Sequence, residues 1–273
     1  MAFLYSVRKK NYTPGEKHRI SRSKVDLFLE CPRCFYLDQR LGIGRPSTYP
    51  LTLNIAVDEL MKKEFDLLRE RGESHAIMKE YGIDAVPLKH KDLEIWRNAL
   101  SQGIEYLHEP TMLSARGGVD DVWVNPKGEF IVVDYKATSK RSEITLDGDL
   151  GAQYKRQVEF YQWLFRKNGH NVSSTAYFVY VNGKKDVDTF DGRLEFDTII
   201  LPCEGNSDWV EPTLFKVKEC LDGKLPGPSD NCAYCAYRKI AAEAASLENG
   251  KSKAVAKKTK VKNEEISQGN IFG

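Results

Sequence analysis

An α/β architecture follows from how apolar residues are spaced along this chain. Residues 130–135, 175–181 and 194–201 are short runs rich in β-branched and aromatic side chains, the composition of buried strands. Longer stretches with helical periodicity alternate with them, which is the pattern of a layered sheet-and-helix domain. A length of 273 residues with 41% hydrophobic content is enough to bury one substantial core.

Taken in order, helices are expected over 24–37 and 53–71, with a polar helix over 91–107 leading into the first strand. Strands follow at 118–124 and 130–135, separated by the turn signal Asn125-Pro126-Lys127-Gly128. The next helix carries Gln157 and Tyr161 and runs to about residue 166, with Lys167 in its last turn and Asn168-Gly169 as its stop. Beyond it lie the strand 175–181, a turn at Asn182-Gly183, the strand 194–201 and a helix over 208–221. No internal repeat interrupts this order.

The chemistry-bearing residues are Asp120 in Gly117-Gly118-Val119-Asp120, then Asp134 and Lys136 at the end of the strand, then Gln157 and Tyr161. A phosphodiester is anionic and repels hydroxide, so its hydrolysis near neutral pH calls for a hard cation held by carboxylate oxygens. Asp120 and Asp134 can supply those oxygens, and the Tyr135 carbonyl can complete the coordination sphere. Alternate side chains of a strand share a face, so Lys136 projects beside Asp134 while Tyr135 points elsewhere. There its ammonium can orient and help deprotonate water, or offset charge in a phosphorane-like transition state.

The order GxxD, then DxK after an apolar strand, then QxxxY on a following helix resembles the PD-(D/E)XK nuclease superfamily, in particular its RecB-like branch. That resemblance implies a restriction-endonuclease-like core, a mixed central sheet flanked by helices. It also implies Mg2+ or Mn2+ held by Asp120 and Asp134, Lys136 as the catalytic lysine, and Gln157 and Tyr161 beside the metal and DNA. Ile20-Ser21-Arg22-Ser23-Lys24, leading to Cys31-Pro32-Arg33, is similar to the first helix of these nucleases. Where the family places a histidine on the next helix, this chain offers Asp58, with Glu59 and Glu64 as competing oxygen ligands. Two alternatives remain: a catalytically silent DNA-binding or adaptor module of the same fold, and a CRISPR-associated adaptation nuclease.

Cys31-Pro32-Arg33-Cys34 and Cys232-Ala233-Tyr234-Cys235 are two CxxC pairs, the spacing at which two thiolates grip one metal. Chain ends of a compact domain often lie close together, so the pairs can share a four-cysteine site that joins the N- and C-terminal segments. Spacing alone leaves zinc and a [4Fe-4S] cluster both open. Iron-sulfur members of the family use one N-terminal and three C-terminal cysteines, whereas Ile240-Ala241-Ala242 stands here where the last is expected.

A net charge of +2 is too small to mark a nucleic-acid partner, but Arg19, Arg22, Lys24, Arg33, Arg40 and Arg45 make the N-terminal segment basic. Lys140, Arg141, Lys155 and Arg156 surround the expected centre in the same way. No apolar stretch is long enough to cross a membrane, and residues 1–10 lack the pattern of a secretory signal. A reducing cytoplasm is therefore expected. Residues 1–246 read as the nuclease-like domain and 247–273 as a flexible basic tail. The tail ends in Gln268-Gly269-Asn270-Ile271-Phe272, which resembles the short peptides that dock replication proteins into a sliding clamp. No GxxxxGK[ST] loop is present, so any helicase activity would come from a separate partner.

Overall fold

The computed structural model describes residues 12–46 and 51–248. Most of the basic tail, with Gln268, Ile271 and Phe272, lies outside them. Strand β1 (His18–Ser21) runs into α1 (Arg22–Glu30), and α2 (Pro32–Gln39) follows after a single residue. The continuous helix expected over 24–37 is thus broken at Cys31. A proline disfavours helical backbone in the residue before it, and Cys31 is extended at φ −156°, ψ 101°. Pro32 then opens α2, where its missing N–H costs nothing.

Helix α3 (Thr52–Arg71) stops at Gly72, whose φ of 67° is the left-handed cap that glycine adopts freely. After α4 (Ala76–Glu80) and the two-residue β2 (Val86–Pro87), the polar stretch departs from expectation. Only α5 (Leu93–Arg97) is helical, and β3 (Ile104–His108) is a strand. Gly103 makes the break: its φ is 83°, and a Cβ there would lie 2.4 Å from the Gly117 carbonyl oxygen. β4 (Leu113–Gly117), β5 (Asp121–Val124), β6 (Phe130–Thr138) and α6 (Gly148–Lys167) follow. The chain continues through β7 (Thr175–Gly183), β8 (Phe196–Glu204) and α7 (Val210–Asp222), and residues 233–248 are helical. The turn expected at Asn182-Gly183 is instead strand, paired with Asp197 and Phe196. Asn182 accepts a hydrogen bond from the Lys140 N–H at 2.8 Å, and the positive-φ residues Asp191 and Gly192 come nine residues later.

Two sheets result. The larger has the order β2-β5-β6-β7-β8, and its one parallel pair, β6 with β7, is joined through α6. The smaller, β1-β4-β3, was absent from the sequence-based expectation. The outcome is the mixed α/β architecture expected. One face of the larger sheet, with Val122, Val132 and Phe178, packs with α6 and α7 through Val158, Phe165 and Leu214. The opposite face, with Trp123, Val133, Tyr135 and Val179, packs on Phe65 of α3 and Met78 of α4.

At the start of β5, Asp121 is wholly buried and ties four elements together. It accepts from Arg69 of α3 at 2.6 Å, from Arg97 of α5 at 3.2 Å and from the Tyr135 hydroxyl of β6 at 2.7 Å. Replacing Asp121 by Ala removes the buried one of the two carboxylates that Arg69 and Arg97 share, leaving both guanidinium groups to Asp66 at the surface. The expected loss is about 3–5 kcal/mol, read as a lowered urea midpoint.

Candidate active site

β6 brings Asp134 and Lys136 to one face, as strand alternation requires, and sends the Tyr135 side chain to the other. Asp134 is wholly buried. Its Oδ1 accepts from the Gln157 amide of α6 at 2.6 Å, while Oδ2 pairs with the Lys136 ammonium. Lys136 also lies over the Tyr154 ring, with Nζ 4.6 Å from its centre. Asp120 precedes β5, and its Oδ2 accepts from the Tyr135 N–H at 3.1 Å. Arg97 holds the Asp120 carbonyl at 3.1 Å while gripping Asp121, so neighbouring aspartates are turned to opposite sides.

From α3, Asp58 faces the same cavity and pairs with Lys62 at 2.7 Å; Lys62 reaches on to Asp120 Oδ1 at 3.3 Å. The competing ligands fall away, since Glu59 is exposed and Glu64 pairs with His75 at 2.8 Å. The cavity holds about 410 Å3 and is lined by Arg22, Asp58, Asp120, Lys136, Tyr154 and Gln157. Tyr161 lies below it, 4% exposed, with its hydroxyl 3.4 Å from the Gln157 amide. The motif glycine has a steric reason: a Cβ on Gly117 would sit 2.4 Å from the Tyr161 ring.

Burial pushes the Asp134 carboxyl up to about 7, against the lowering pull of Lys136 and with a further push from Asp120. Burial also raises Asp58, against the Lys62 ammonium, and lifts the Tyr161 phenol to about 12, so it remains protonated. Oδ2 of Asp134 is buried with no hydrogen-bond donor beyond that ion pair. A buried carboxylate oxygen beside a second carboxylate is a donor set that a hard divalent cation satisfies.

Asp58, Asp120, Asp134, Lys136, Gln157 and Tyr161 thus lie at or just beneath one cavity. Lys62, Tyr154 and Arg22 join them with roles not read from sequence. Tyr154 has a signal in hindsight, lying three residues before Gln157 on the same helical face. The general basic segment is a different matter. Arg19, Lys24 and Arg45 pair with Glu105, Asp38 and Glu30, and Arg156 with Asp26, so these charges knit the fold together. Lys140 and Arg141 remain exposed at the end of β6.

The four cysteines also converge. Cys34 Sγ lies 3.6 Å from Cys232 and 3.7 Å from Cys235, and Cys31 lies 3.8 Å from Cys235. All four sulfurs are within 4.8 Å of one another. Thiolates about 2.3 Å from one tetrahedral ion are separated by about 3.8 Å. Burial works to raise the Cys31 thiol, but backbone donors at Ser229 and Cys34 and the neighbouring thiols bring it down to about 6. Arg45 adds a cation 3.5 Å from Cys232 Sγ. Cys203 and Cys220 stand apart as thiols that burial lifts to about 11.

A family model for the PD-(D/E)XK nuclease superfamily matches residues 56–240. No curated protein matches the chain. Among solved structures, the chain is similar to the crystal structure of SSO0001 at 14% identity and a TM-score of 0.35, with 82% of each chain covered.

Gly117→Ala is expected to displace Tyr161 and cost about 1–3 kcal/mol through overpacking. Thermal unfolding of this variant beside Tyr161→Phe, which keeps the ring and so leaves the contact intact, checks the steric origin.

Proposed function

The chain belongs to the PD-(D/E)XK nuclease superfamily, and from that premise we propose that it is a divalent-metal-dependent DNA nuclease acting in repair, recombination or replication. The convergence of Asp120, Asp134, Lys136 and Gln157 on one cavity is the observation that supports this reading.

Asp120 and Asp134 would hold magnesium or manganese, with Asp58 facing the same cavity beside them. When bound, such an ion polarises a phosphoryl oxygen and acidifies water. Gln157 fixes Oδ1 of Asp134, and Oδ2, paired with Lys136, has no other protein donor and would turn to the ion. Lys136, steadied over Tyr154, donates to the attacking water and offsets charge gathering on the phosphoryl oxygens. Exposed Lys140 and Arg141 are placed to meet the phosphate backbone, which makes binding salt-sensitive.

The cysteine site holds a single zinc ion in this reading. Sulfur separations of 3.6–3.8 Å support it, because in a four-iron cluster each thiolate binds a different iron and the sulfurs stand wider apart. The ion clips the α1–α2 junction to the segment after α7 and contributes folding free energy. The terminal Gln268, Ile271 and Phe272 would tether the nuclease to a sliding clamp, raising its local concentration at DNA.

End-labelled linear and circular DNA, single- and double-stranded, should be cut with Mg2+ or Mn2+ and spared in EDTA. Lys136→Ala is expected to lower the rate about 10²–10⁴-fold; a wild type that binds DNA yet cuts none of these substrates would sink the proposal. Anaerobically purified protein should be colourless and carry one zinc per chain by elemental analysis, whereas a brown chromophore with iron would overturn the zinc assignment.

A further inference from the structure

The cavity has a cation of its own. Lys62 Nζ lies 2.7 Å from Asp58 Oδ2 and 3.3 Å from Asp120 Oδ1, bridging two carboxylates carried by different elements. An i,i+4 ion pair on a helix surface needs only one of those partners. Lys62 is instead largely enclosed, with 24% of its side chain exposed, and reaches across to Asp120, the residue before β5. Asp120 and Asp134 stand side by side, and Asp58 is held apart from them with Lys62 in between. Among the described residues, only the cysteines gather three or more ligand atoms within 4.8 Å, so Asp58, Asp120 and Asp134 do not close on a shared point.

Formal charge points the same way. Counted over the groups paired with one another, Asp58, Asp120 and Asp134 against Lys62 and Lys136 leave one negative charge, while Arg22 at the cavity wall pairs with Asp26, a carboxylate it shares with Arg156. One divalent ion converts this to one positive charge, the complement of a single phosphodiester. A second ion would leave three positive charges in a partly enclosed site, where like charges repel strongly.

We propose that Lys62 is the fixed second cation of this centre: its ammonium takes the place between Asp58 and Asp120 that a second divalent ion would occupy, so the carboxylates bind one ion. This rests on the nuclease reading of the same cavity. Asp58 then serves mainly as the counter-charge that holds Lys62, one turn further along α3.

The test counts bound Mn2+ on the zinc-loaded full chain, by electron paramagnetic resonance of the free ion during titration. Asp134→Asn serves as the blank for binding outside the carboxylate site. The wild type should take up one Mn2+ and Lys62→Met a second. Two ions on the wild type, or one on both proteins, would overturn the assignment. Circular dichroism reports whether Lys62→Met is folded; if it is not, Lys62→Gln replaces it and the wild-type count still decides against the proposal if it is two. Cleavage assayed on the same samples separates the two readings. One bound ion without cleavage leaves Lys62 as assigned and refutes the nuclease; two bound ions with cleavage do the reverse.

Discussion

Burying the Asp134 carboxylate in the middle of a sheet carries a large desolvation cost, and much of the surrounding structure compensates for it. Lys136 supplies a counter-charge from two residues along the same strand face, and Gln157 supplies an amide from α6. The compensation is partial, which is why the carboxyl is held near 7 rather than in the usual acid range. A group in that condition gains more from a divalent ion than an exposed carboxylate does, since the ion replaces solvation that the fold has removed. Strain of this kind at a reactive centre is tolerated when the remaining structure is firm. Here the firmness comes from the other side of the sheet, where Asp121, Arg69, Arg97 and Tyr135 are fully paired within the fold.

The two adjacent aspartates illustrate how one backbone serves both purposes. Asp120 and Asp121 diverge because one precedes the strand and the other begins it, and Arg97 fixes that divergence by holding the carbonyl of the first and the carboxylate of the second. A shift of one residue in this register would exchange a structural carboxylate for a site carboxylate.

Much of this was legible in the sequence because it depends on short-range rules. Alternation along a strand places Asp134 with Lys136, and an i,i+4 helical spacing places Gln157 with Tyr161. Cys31-Pro32 contained the signal for the break between α1 and α2, although helical periodicity on both sides obscured it. The small sheet was not legible: Ile104–His108 is short and only partly buried, so its pattern merges with the helix before it, and its pairing with β4 is tertiary information. Asn182-Gly183 fits a hairpin turn equally well, yet Asn182 bonds the Lys140 backbone and the strand continues. The destination of each positive charge was likewise hidden. Composition reports that arginines are present, not that Glu105, Asp38 and Glu30 already hold several charges of the N-terminal segment.

The site draws Asp58 from α3, Asp120 from the approach to β5, Asp134 and Lys136 from β6, and Gln157 from α6. These contributors are spread over about a hundred residues of chain, and β6 meets its parallel partner β7 only after α6 has formed the crossover. Contacts of such long sequence separation form late, after the loop-closure entropy has been met. Assembly of this centre is therefore a property of the finished fold alone. An incompletely synthesised or partly unfolded chain has its carboxylates dispersed, and whatever chemistry they carry together waits until the architecture that gathers them is complete.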